Sequence, residues 1–255
     1  MTYDSISSCV GFDGSEFLLP SPPCPPSGNH ILSRLAQRGV SEESTRLREH
    51  VRALLPEAHQ ALSMRSVGRI LDIEARVDIG RSRLPKPIQQ ATHLGVGLCT
   101  VGGDIDALAG KLRTKGRWLD SWICEAFAIA ALDDLCNHLV SYMRDRASTM
   151  GCNASRAYAP GTTSGAWDLS NQRLVFDWLA ADDIGVQLTP HLLMVPIKSR
   201  TFIIGIGRQI RQAETPFGCH DCTDTDCLHR RLDGTTNPGK TAPSEVSNEP
   251  LAGLD

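Results

Sequence analysis

Apolar residues recur at three- and four-residue steps in some stretches of the chain and in short unbroken runs in others. This mixture predicts helices and strands together. Leu47, Val51, Leu54, Ala58 and Leu62 form one buried stripe, with Ser41 as its expected cap, Glu42 and Glu43 at its positive end, and Pro56 expected to kink or divide it. Before it, HILSRLAQR reads as a short helix closing at Gly39. The pattern between Val67 and Ile79 partly alternates, predicting a strand with one polar face, and Leu84-Pro85-Lys86-Pro87 predicts extended chain. THLGVGLCTVGGDIDALAGKL reads as a buried strand, a turn at Gly102-Gly103, and a helix capped by Asp104. The longest helix is expected from about Ser121 to Ala147. Trp122, Ala126, Ile129, Leu132, Leu135, Leu139 and Met143 form its apolar face, and Asp133-Asp134 lie on or near the polar side. His138 and Glu125 read as satisfied or surface polar residues on it.

Beyond Gly151, NASRAYAP predicts a strand, Pro160-Gly161 a turn, and Asp168 or Ser170 the cap of a helix carrying Leu174, Val175, Trp178 and Leu179. IGVQL, prolines at 190 and 196, and the β-branched strand RTFIIGIG complete a unit running from Arg156 to Arg208. Everything upstream reads as scaffold for it. The expected fold is α+β, a twisted and mainly antiparallel sheet packed with long helices. Residues 1–30 form a proline-rich arm, 31–212 the folded domain, 213–231 a cysteine-rich appendage, and 232–255 a tail with too little apolar content to order.

Composition narrows the partners. A net charge of −3 offers no basic field for nucleic acid. No apolar run reaches the ~20 residues a membrane span needs, and MTYDSISSCVGFDGSEF lacks the apolar stretch of a secretion signal. A cytoplasmic location and reduced thiols are therefore expected. Glycines at 95, 97, 102 and 103 do not make a dinucleotide fingerprint, and no nucleophile–base pair or carboxylate dyad marks an independent hydrolase. Of nine cysteines, six are scattered and three crowd together as Cys219-x2-Cys222-x4-Cys227, followed by His229. Two thiolates across a short turn can chelate one metal. Adding Cys227 and either His229 or His220 gives a tetrahedral zinc set, whereas an iron–sulfur cluster needs a fourth thiolate or an open iron. Three reduced thiols with a redox-active Cys219–Cys222 pair are the plainer alternative.

Several short motifs share an order. Thr100-Val101-Gly102 precedes the long helix; Pro160-Gly161, Trp167-Asp168-Leu169 with Gln172, Ile184-Gly185-Val186-Gln187-Leu188-Thr189 and Met194-Val195-Pro196-Ile197-Lys198-Ser199 follow it. In this combination the chain resembles the activation domain of cobalamin-dependent methionine synthase, and more closely the free-standing bacterial proteins built from that domain, over roughly residues 30–231. The resemblance implies that S-adenosylmethionine lies against a loop of Arg-x-x-Pro-Gly-Tyr type. Carried over, that loop comprises Arg156, Tyr158, Pro160, Gly161 and Thr162, with Lys198 and Ser199 near the ligand. Arg156 stands one residue further from the Pro-Gly pair than in the family pattern, and Thr162 replaces its tyrosine. For Lys198 and Ser199 the plainer alternative is structural, with Pro196 fixing the backbone and Lys198 in water.

The implied function is accessory: reductive reactivation of a corrinoid-dependent methyltransferase, with cobalamin carried by the partner. Reduction is coupled there to methyl transfer from adenosylmethionine, and a ferredoxin- or flavodoxin-type donor supplies the electron. The alternatives are a metal- or cluster-containing protein that docks to a corrinoid protein without turnover, and a small electron carrier centred on the cysteines.

Overall fold

The computed structural model describes residues 16–19, 26–29, 31–32, 44–76, 83–161 and 167–217. In chain order these form β1 (Glu16–Leu19), α1 (Thr45–Gln60), β2 (Arg65–Asp72), α2 (Ile73–Arg76), β3 (His93–Thr100), α3 (Asp104–Thr114), α4 (Trp118–Thr149), β4 (Asn153–Ala154), α5 (Gln172–Trp178), β5 (Gln187–Leu188), β6 (Met194–Val195) and β7 (Ser199–Gly207). The main sheet has the order β1-β2-β3-β7-β4, and every pairing in it is antiparallel. The α+β expectation stands.

The sheet is covered on both faces because its central strands are apolar on both. In β3, Leu94, Val96 and Leu98 enter one core, with Val67 and Leu71 of β2 and Ile203 of β7. Cys99, Ile70, Phe202, Ile204 and Ile206 enter the other, against α1, α3 and α4. This corrects the expectation of a polar face on β2. Five of its eight residues are buried, and Gly68, which looks neutral in the sequence, lies under the Phe17 ring and the Met143 methyl. A Cβ at Gly68 would stand 2.6 Å from Phe17, and one at Gly95 would stand 2.9 Å from the Met143 sulfur, so these glycines let α4 lie close to the sheet. Between the exposed ends of the strand, Arg65 and Asp72, Arg69 is half-buried and donates to the Trp178 carbonyl at 3.1 Å.

Local starts and stops differ from the reading in instructive ways. Helix α1 begins at Thr45 with Ser44, not Ser41, as its cap; Ser44 Oγ accepts from the Leu47 N–H at 3.3 Å. Starting there, the helix presents Leu47, Val51, Leu54 and Ala58 to the core. Pro56 does not divide the helix. It is exposed, as is Arg52 four residues back, so the unbonded Arg52 carbonyl can face water. At α3, Gly103 takes the cap position, leaving Asp104 and Asp106 in the first turn, where the helix dipole favours them. Pro85 is extended as expected, but Lys86 is not. Lys86–Ile88 form a 3-10 turn that lays Ile88 on β7, where Gly205 leaves room for it.

The 32-residue α4 is the central core helix, closed after Met150 by Gly151 at φ +65°. Asp133 is not on its polar side: it is buried and ion-paired with Arg200 of β7. Part of the N-terminal stretch read as an arm is the edge strand β1. Gly39, Ser41, and the tail after Arg231 lie outside the described residues.

Candidate functional site

Strand β7 is paired unequally on its two sides. Toward β3 it is paired along residues 199–206. Its even-numbered residues face that side, as Lys198 and Ile206 carbonyls accept from Val101 and Thr92. The odd-numbered residues face the second edge. There β4 takes up Gly207 and Ile206, the Ser155 N–H donates to Gly205 O at 2.9 Å, and Tyr158 exchanges hydrogen bonds of 2.8 and 2.9 Å with Ile203. Beyond Ile203 the pairing stops. Among the described residues no strand meets the Ser199 and Thr201 backbone groups on this edge.

The predicted loop starts from this edge, at Tyr158. From Tyr158 the antiparallel direction carries the chain toward the Ser199 end of β7. Pro160 is buried, and Gly161 turns with φ +70° and donates to the Trp167 carbonyl at 2.9 Å. The Arg156 guanidinium carbon lies 4.8 Å from the centre of the Tyr158 ring, a cation–π contact. Among the described residues Arg156 has no carboxylate partner. Tyr158 is buried and serves as a platform for Arg156. Thr162 lies outside the described residues.

Lys198 and Ser199 are already engaged. Lys198 Nζ bridges Asp106 at 3.0 Å and Glu125 at 2.6 Å, and Glu125 also meets Arg113 at 3.3 Å. The Ser199 hydroxyl donates to the Pro196 carbonyl at 2.7 Å and lies 2.9 Å from the Thr100 hydroxyl. Asp106 and Glu125 are site neighbours that sequence reading missed, Glu125 having been read only as a satisfied polar residue. The available signal was Asp106 in the helix that follows Thr100-Val101-Gly102.

Burial pushes the Glu125 carboxyl up, but hydrogen bonds from Lys198 and Arg113 outweigh it and hold the group below its ordinary value. Burial likewise pulls Lys198 down, and its two carboxylates more than reverse this. The signs set the pH range. Glu125 stabilises the fold above the usual carboxylate range and loses that contribution as pH falls through its lowered value. Lys198 contributes fully below the usual lysine range and loses it as pH rises through its raised one. Glu125→Gln is therefore expected to destabilise the protein by a constant amount between roughly pH 6 and 9, with the difference from wild type shrinking below about pH 4. Urea unfolding across that range checks it. A pH-independent difference would remove the ion pairs from the explanation.

The remaining motif residues are framework. Trp167 is buried, Asp168 caps the following 3-10 turn through the Ser170 N–H, and the Gln172 amide donates to the Leu192 carbonyl at 2.9 Å, tying α5 to the β5–β6 connection. Gly185 turns at φ +68°. Cys99, Cys124 and Cys136 are buried free thiols, as expected, and burial first of all pushes Cys124 up to about 12. Cys219, Cys222, Cys227 and His229 lie outside the described residues. Among the described ones no group of three or more His, Cys, Asp or Glu is placed to hold a metal. No described helix is long and apolar enough to cross a membrane.

No family model matches the chain, and no curated protein matches it in sequence. Among solved structures it is similar to the crystal structure of the MetH reactivation domain bound to AdoHcy, with a TM-score of 0.51 and 13% identity. The match covers 78% of this chain and 81% of that one. The chain therefore has the fold of that reactivation domain, as its motif order implied.

Proposed function

We propose that the chain assists reductive reactivation of a corrinoid-dependent methyltransferase of the methionine synthase type, holding S-adenosylmethionine along the Ser199–Thr201 edge of β7. The observation that carries this reading is the coincidence of three features: backbone groups of Ser199 and Thr201 that no described strand meets, a left-handed glycine turn three residues after Tyr158 leaves its pairing with Ile203, and an arginine with no carboxylate partner among the described residues. The solved structure sharing the fold is a reactivation domain holding AdoHcy, which supports the same ligand class. Adenosylmethionine, when bound, supplies the methyl group. The chain's own residues would position it: Arg156 toward a carboxylate or an adenine face, the Gly161 backbone in close approach, and β7 by strand-like hydrogen bonds. Cobalamin would come with the partner, and a ferredoxin- or flavodoxin-type protein would supply the electron. Cys219, Cys222, Cys227 and His229 would hold zinc or, with a further ligand, an iron–sulfur cluster.

Calorimetric titration of the full chain with adenosylmethionine tests the ligand. Saturable binding is expected, and no heat at millimolar ligand would sink the methyl-donor role. Gly161→Val should weaken that binding at least about tenfold, because a β-branched residue resists positive φ. Its Cβ would also stand 2.9 Å from Leu169 Cδ1. An unchanged affinity in a folded variant counts against the loop.

One observation favours a second reading. Lys198 and Ser199 are satisfied internally, which suits a protein that docks to a corrinoid partner without adenosylmethionine. The same titration separates the two.

A further inference from the structure

We infer that the cavity between residues 83–89 and 167–171 is a binding site for a small monocarboxylate, separate from the adenosylmethionine site proposed above. The cavity measures about 420 Å³, within the range of small-molecule sites. Among the described residues, none of β7 and none of the Arg156–Gly161 segment lines it. Its walls are two stretches packed on the same apolar core, one carrying Leu84 and the other Trp167. The fold holds a guanidinium in place there. The buried Asn171 accepts from Arg83 Nη2 at 3.2 Å, while its own amide donates to the Asp168 carbonyl at 3.1 Å. One N–H of the Arg83 fork is thereby fixed and the others stay available. Lys86 lines the same cavity from the start of its 3-10 turn. Neither cation meets a carboxylate among the described residues.

A second observation is independent of the cations. Trp167, also a lining residue, is only 2% exposed, and its indole Nε1 is buried with no acceptor among the described residues. Buried donors left without an acceptor are rare in folded proteins. One in the wall of a cavity calls for an acceptor from outside, and an oxyanion brings acceptors for the indole and for both cations. Charge then selects the class of oxyanion. Asp168 lines the cavity too, and one of its carboxylate oxygens accepts from the Ser170 N–H at 2.8 Å. Two cations and one anion suit a singly charged ligand, whereas a doubly charged phosphate would face Asp168 with one charge unmatched. The planar Arg83 fork matches a carboxylate. Leu84 and the Trp167 ring give the rest of the molecule an apolar wall.

Calorimetric titration of the full chain with hexanoate tests this, beside hexanamide, its uncharged counterpart, and inorganic phosphate. Saturable hexanoate binding is expected, with hexanamide and phosphate each at least about tenfold weaker. Arg83→Gln, at an exposed position, should weaken hexanoate at least about tenfold. Arg83→Lys, which keeps the charge and loses the fork, should lie between. Trp167→Phe keeps a ring and removes the orphan N–H, so hexanoate should bind it at least about fivefold more weakly. If that variant does not fold, the two Arg83 variants decide. No heat from millimolar hexanoate, equal binding of hexanamide, or unchanged affinity in Arg83→Gln overturns the site. Phosphate binding as tight as hexanoate overturns the choice of a carboxylate. Parent-like affinity in Trp167→Phe means that a buried water satisfies the indole, and it overturns that residue's part. Millimolar adenosylmethionine should leave hexanoate binding unchanged, and displacement by it overturns the claim of a separate site.

Discussion

Gly97→Ala is expected to cost the fold about 3 kcal/mol or more, although it adds a single methyl group. Gly97 sits mid-way along β3, opposite Gly68 of β2 and Phe202 of β7. A Cβ there would stand 2.3, 2.7 and 2.8 Å from three outer ring atoms of Phe202. The ring has little room to retreat, being fully buried and edge-on to Phe217. It covers the backbone of its cross-strand glycine, an arrangement that replaces missing side-chain packing with an aromatic face. Urea unfolding measures the loss, and a cost below about 1 kcal/mol would show that Phe202 shifts readily. Adding Phe202→Leu should recover part of it, since the two changes share one space and their effects should not add.

The second large effect is expected at Arg200. Its guanidinium pairs with Asp133 of α4, whose side chain is only 12% exposed. Arg200→Met would leave a buried carboxylate without this partner. Loss of one member of a fully buried pair costs about 3–5 kcal/mol; Arg200 is 30% exposed, so about 2–4 kcal/mol is expected here. Pairing Arg200→Met with Asp133→Leu should return most of the stability, because two apolar groups of similar size need no desolvated charge. If the double variant is as unstable as the single one, packing rather than charge is what Arg200 supplies.

These two sites also mark what was legible in the sequence. The apolar runs of β3 and β7 and the stripe of α4 announce themselves, so the layers of the fold were readable. The coverage of β2 was not, because Gly68 contributes nothing to a hydropathy pattern yet lies under Phe17 and Met143. Strand β1 is four residues beside a proline-rich run, too short to show a period. Asp133 and Arg200 are 67 residues apart, and only the packing of α4 on the sheet brings them together. At the candidate site the Pro160-Gly161 turn was visible from its residue types. The capture of Lys198 by Asp106 and Glu125 was not, since it depends on where two helix starts fall around the end of β7.

The stretch of β7 that no described strand meets also bears on self-association. A bare strand edge invites another chain to pair with it, and long flat ones seed aggregates. Here the stretch that no described strand meets spans only Ser199 to Thr201, and both residues are buried. Pro160, which has no N–H to offer, sits in the segment heading toward it. An edge so short and so covered gives a neighbouring copy no strand to pair with.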